Sequence, residues 1–153
     1  MKQTIHLTYF LILSILLGSC TMSQKNRQYA EGVSELQGSY WMLLSLQGQE
    51  LQDNPESNTA YLRFEEGSDE LKGFTGCNRL MGRYSLSNDN LQLTNLGSTR
   101  AMCPIIEQEN YLMAILQKVD AFKISGDVLT LFHKNTAVAT FRAGAPPMSP
   151  DGL

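Results

Sequence analysis

Histidine is nearly missing from this chain. The 153 residues hold two, His6 and His133, and His6 lies in a stretch that reads as a removable targeting segment. One remaining histidine leaves little from which to build a Cys–His pair, which needs a positioned base and a group to orient it. Cysteine is almost as sparse, with three residues. Cys77 and Cys103 with His133 show no recognisable ligand spacing, so the expected metal and cofactor complement is none. A dominant charge is also lacking: 12 Lys and Arg stand against 15 Asp and Glu, for a net charge of -3 and no basic run. Nucleic acid is therefore not an expected partner. The apolar run "LTYFLILSILL", Leu7 to Leu17, has eleven residues, well short of the roughly 20 that a membrane-spanning helix needs. No internal repeat is evident.

What is present begins with an address. Lys2 precedes the apolar run, and "LLGSC" follows it, with Gly18 and Ser19 directly before Cys20. This resembles the lipobox of bacterial lipoproteins, which implies a signal peptide over residues 1–19 and a mature chain beginning at an acylated Cys20. Several acyl chains on one residue suffice for stable anchoring, at about 0.8 kcal/mol per buried methylene. Removing nineteen residues leaves 134 with a net charge of -4, since Lys2 goes with the signal. That is one domain's worth of chain. Residues 20–35 are polar and read as a tether. "AGAPPMSPDGL" carries three of the five prolines, so residues 145–153 are expected to be a disordered tail, with the folded domain at 36–144. Thr21 lacks the acid that some bacteria use to retain lipoproteins at the inner membrane. The expected location is therefore the cell envelope, facing the periplasm, with the outer membrane favoured.

With Cys20 assigned to lipid, Cys77 and Cys103 form an even pair. In an envelope compartment they are expected to be bridged, or else to be buried thiols. Along the domain, "SYWMLLSL" reads as a strand closed by Gly48, and "AYLRFEE" as a half-buried strand. "KGFTGCNRLMGRYSL" reads as strand, tight turn and strand. "SNDN" is a hairpin turn before the alternating "LQLTNL". The period then changes. "PIIEQENYLMAILQKV" starts with Pro104 at a first helical position and has Glu107 and Glu109 near the positive end of the helix dipole. Ile105, Gln108, Leu112, Ile115, Leu116 and Val119 form its stripe. Three strands follow, with turns at Gly126–Asp127 and at "NTA". Their inward set is Phe122 and Ile124, then Leu129 and Leu131, then Val138 and Thr140 or the opposite face. The fold class is mainly β (α+β): seven or eight short antiparallel strands, able to close into a barrel-like ring.

These pieces together resemble the META domain, also called the HslJ-like family, over roughly residues 36–142. The resemblance rests on Trp41 and Leu43, on "FTGCNRLMGRY" with Gly76, Cys77, Asn78, Gly82 and Tyr84, and on "LGSTRAMCP" with Ser98, Thr99, Met102 and Cys103. The helix residues Glu109 and Leu116 and the ending "LTLFHKNTAVATF" complete it. "STRAMC" departs slightly from the family's T-x-M-A-C pattern. The resemblance implies a barrel-like antiparallel sheet with one helix before the last three strands, and an envelope or stress-related setting. It implies no catalytic residues.

The leading expectation is thus a non-enzymatic envelope lipoprotein that binds an envelope protein or a small apolar ligand. Two alternatives stand beside it. One is an assembly or chaperone factor. The other is an enzyme using the loop from Cys77 to Arg83, with Arg79, Arg83 and the glycine backbone as an anion pocket and Asn78 as an orienting group. Gly73, Gly76 and Gly82 are expected where the chain takes a positive φ or two strands come close. Asn78 is expected to tolerate the left-handed region.

Overall fold

The computed structural model describes residues 36–50 and 59–145. The expected signal peptide, Cys20, the tether and the tail beyond residue 145 lie outside the described residues. Among the described residues, nine strands and one helix follow one another: β1 (Tyr40–Leu46), β2 (Gln49–Glu50), β3 (Tyr61–Phe64), β4 (Glu70–Phe74), β5 (Arg79–Ser87), β6 (Asn90–Ser98), α1 (Ile106–Leu116), β7 (Ala121–Ser125), β8 (Val128–His133) and β9 (Thr136–Gly144).

Every strand pairs antiparallel with its neighbour, and β9 returns to pair with β1, giving a ring-like sheet. The closing register runs from Tyr40↔Gly144 to Leu46↔Ala139, with a bulge between Leu43 and Ser45. β2 is a short flap hung on the end of β1. One junction is thin: β6 and β7 share the single pair Asn90↔Ala121. α1 sits in the connection between those two strands, and its Leu112, Ile115 and Leu116 join the common core.

Alternation explains the core. Trp41, Leu43, Leu62, Phe64, Leu71, Leu80 and Tyr84 point inward from β1 to β5, and Leu129, Leu131 and Phe141 from β8 and β9. Successive strand residues face opposite sides, so each inward residue has an outward neighbour. Phe122 and Ile124 are only half-buried. In β9 the choice left open resolves to Ala139 and Phe141. Val138 is buried as well, next to a register shift between Leu131 and Phe132 of β8. Thr140 faces away from that set and shares a 2.6 Å hydrogen bond with Ser45.

The hairpins are tight. Gln47–Gly48 and Lys134–Asn135 both have positive φ at two consecutive residues, the pattern whose twist matches that of flanking strands. The last turn therefore falls on Lys134–Asn135, slightly before the expected "NTA". The helix also starts later than expected. Ile105 is its N-cap, and Pro104 lies in the turn before it.

Candidate functional site: a stapled polar corner and an aromatic face

The β4–β5 turn is built by Thr75. Its hydroxyl accepts the backbone N–H of Asn78 at 2.9 Å and donates to the Asn78 carbonyl at 3.1 Å. The Thr75 N–H bonds the same carbonyl at 2.9 Å. Gly76 has φ 96°, a value that a side chain would make costly. Gly73 answers to a different need, because a Cβ there would meet the Tyr61 carbonyl oxygen of β3 at 2.3 Å.

Asn78 does not use the left-handed region. Among the described residues, the non-glycine residues with positive φ are Gln47, Asn88, Asn95, Lys134 and Asn135. Asn78 is instead a buried hub, 1% exposed. Its Oδ1 accepts the Thr99 hydroxyl at 2.8 Å and the Ala101 N–H at 2.7 Å. Its Nδ2 donates to Glu109 Oε2 at 2.7 Å and to the Ala101 carbonyl at 3.2 Å. Glu109, 3% exposed, takes a second bond on Oε1 from the Ser98 hydroxyl at 2.8 Å. One asparagine thus ties the turn to the segment after β6 and to the first turn of α1. A disulfide between Cys77 and Cys103, with Cα atoms 6.1 Å apart, makes the same connection covalently. Buried polar groups are tolerated when paired in this way.

The residues proposed for an anion pocket do not meet in one site. The Asn78 side chain points inward and its amide is engaged on both atoms. Arg79 and Arg83 stand on the outer face of β5 with Met81 between them, about 13 Å apart along the strand. Arg83 Nη1 donates to both carboxylate oxygens of Asp69, at 2.6 and 2.7 Å. That hydrogen bond holds the Asp69 carboxyl below its ordinary range and raises the guanidinium. His133 lies 3.3 Å from Asp120, while Cys77 is bonded to Cys103 rather than poised as a nucleophile.

A second feature lies on the outside of the ring. Tyr40, Tyr61 and Phe74 form a row across β1, β3 and β4, with ring centroids 5.5 and 6.4 Å apart. The Arg63 guanidinium sits 4.7 Å over the Tyr40 ring. Strand parity turns this face away from the core, since Trp41, Leu62 and Thr75 beside them are buried, and Tyr40, Tyr61 and Phe74 are themselves half-buried. Sequence reading missed the row, although the pairs Tyr40–Trp41, Tyr61–Leu62 and Phe74–Thr75 hold the signal: two bulky or inward residues in succession leave one facing out. Beyond it on β5, Met81 is 55% exposed.

A model of the META domain matches residues 34–145. The chain belongs to the META domain family. Solved structures share the fold. The NMR structure of a protein from Burkholderia xenovorans matches with a TM-score of 0.61 at 23% identity, covering 74% of this chain and 86% of that one. A second NMR structure matches with a TM-score of 0.58 at 26% identity, covering 72% and 92%. No match was found among curated proteins. In this META domain "GCN", "ST" and the cysteine of "MC" converge on the stapled corner, while Met102 is 96% exposed.

Proposed function

We propose that this META-domain chain is a non-enzymatic, lipid-anchored module of the bacterial envelope that holds a partner protein on its outer sheet face. The observation that carries this reading is the row Tyr40–Tyr61–Phe74 with Arg63 packed on its end. Aromatic side chains and arginine are the residues on which protein–protein binding energy concentrates. An antiparallel sheet holds them in fixed positions, so little ordering is left to be done on binding.

Three further features support the reading. "LLGSC" places Cys20 where a lipid anchor would be attached. The disulfide suits an oxidising compartment. The inward face of the ring is filled by Trp41, Phe64, Phe141 and the leucines around them, which directs binding to the surface rather than to an internal apolar ligand.

The test is crosslinking of the lipidated protein in intact cells, with the captured proteins compared between wild type and Phe74→Ser. A defined partner recovered by wild type and lost with the folded variant supports the proposal. The same random set of neighbouring lipoproteins from both contradicts it. A broad set of unfolded envelope proteins, lost equally with Phe74→Ser, would point to a chaperone instead.

A further inference from the structure

The stapled corner brings together more than a bridge needs. The sulfur atoms of Cys77 and Cys103 and a carboxyl oxygen of Glu109 all lie within 4.8 Å of one another. We propose that this cluster is a redox-gated metal site, closed as the disulfide and able, once reduced, to bind a thiolate-preferring divalent cation such as zinc. It is separate from the aromatic face, so the two readings stand or fall independently.

Three observations support it. Tetrahedral zinc with bonds of about 2.3 Å to sulfur spaces two thiolates about 3.8 Å apart. Cysteines whose Cα atoms are 6.1 Å apart reach that spacing by rotating their side chains. Glu109 is already held in place beside the sulfurs, because Ser98 fixes Oε1 and Asn78 fixes Oε2. Such supporting bonds are what metal ligands use to hold orientation. Finally, Cys77 and Cys103 are only half-buried, so both a reductant and a cation can reach the sulfurs. Two thiolates with one carboxylate favour zinc-like cations over magnesium or calcium, which take oxygen ligands.

The chemistry balances in two steps. A dithiol attacks one sulfur, the S–S bond breaks, and the dithiol leaves as its own disulfide. Two electrons pass to the protein, and two protons end on Cys77 and Cys103. The cation then displaces those two protons to solvent and takes two sulfurs and one Glu109 oxygen, with water in the remaining position. Without the cation, reduction would leave three potential anions side by side, which repel.

The experiment uses the full chain, oxidised or reduced with a dithiol that is then removed without air. Retention of fold is followed by circular dichroism, and Co2+ alone is titrated before Zn2+ is added. The reduced chain is expected to take up a single Co2+ with a sulfur-to-cobalt charge-transfer band and tetrahedral d–d bands, both lost on adding Zn2+. The oxidised chain is expected to show neither. Glu109→Gln should weaken Co2+ binding by about tenfold or more, since even supporting partners of a ligand are worth that much. If that variant loses its fold, Ser98→Ala tests the same carboxylate and should weaken binding by about tenfold. The proposal is overturned if the reduced, folded chain takes up no Co2+ or shows no sulfur band. It is overturned equally by indifference of binding to both substitutions, by binding to the oxidised chain, or by unfolding on reduction.

Discussion

Asn78 is the residue on which the corner turns, and removing its amide has several consequences at once. Asn78→Ala would leave the Ala101 N–H and the Thr99 hydroxyl without their acceptor and Glu109 Oε2 without its donor. The Glu109 bond is buried and the other two are only part-buried; a buried group left unpaired costs about 1–3 kcal/mol, so a loss of about 2–4 kcal/mol is expected in urea unfolding. On the outer face, Asp69 and Arg83 allow a prediction in pH. The Arg83 hydrogen bond lowers the Asp69 carboxyl in the folded chain, so the pair's contribution is present above the unfolded value and is lost as pH falls through the lowered one. NMR titration should show the Asp69 midpoint rising in Arg83→Gln; an unchanged midpoint would remove the pair from the account. At this scale the sequence was partly legible. Cys77 and Cys103 could be paired by counting, and Tyr84 does pack inward, edge-on to Phe64 at 5.1 Å. The role of Asn78 was hidden because its partners lie 21 to 31 residues away, beyond anything local chemistry encodes. Glu109 was half legible. It stands three residues before Leu112 and seven before Leu116, on the apolar stripe itself, where a carboxyl group signals a buried partner.

Among the elements, hairpins and helix follow local rules and were readable from periodicity, while bulges were not. The shifts at Leu43/Ser45 and Leu131/Phe132 change which residues face inward, and nothing in those stretches marks them. That is why alternation alone leaves the inward set of β9 open, whereas the structure buries Ala139 and Phe141 together with Val138. The later start of α1 has a local cause. Pro104 is compatible with a first helical position, but here it occupies the turn whose Ile106 N–H reaches the Cys103 carbonyl at 3.3 Å. Close approach of β3 and β4 gives a sharp prediction. Gly73→Ala places a methyl against the Tyr61 carbonyl oxygen, which is backbone and cannot swing away. The variant should be destabilised by about 1–3 kcal/mol and should lose protection from hydrogen exchange first at β3–β4. Wild-type exchange there would show that the sheet relaxes freely.

For the whole molecule, closure is the organising fact. β9 pairs along β1, so nearly every edge is used, with one thin junction at Asn90↔Ala121; α1 contributes Leu112, Ile115 and Leu116 to the common core. The disulfide fastens the β4–β5 turn to the approach to that helix across 26 residues. The loop-entropy model assigns such a bridge about 3.5 kcal/mol, and Cys77→Ala with Cys103→Ala should lower unfolding stability by about that amount. Ring closure itself was legible only as a possibility, because pairing of the first strand with the last depends on register set by distant residues.

The proposed partner-binding role rests on the outer face of β1, β3 and β4. The most direct test is site-specific photo-crosslinking in cells, with a photoreactive residue at position 74 on that face or at position 123 on the outer side of β7. The account predicts a discrete adduct from position 74, abolished by Tyr61→Ser and absent from position 123. Equal crosslinking from both positions, or an adduct indifferent to Tyr61→Ser, would contradict it.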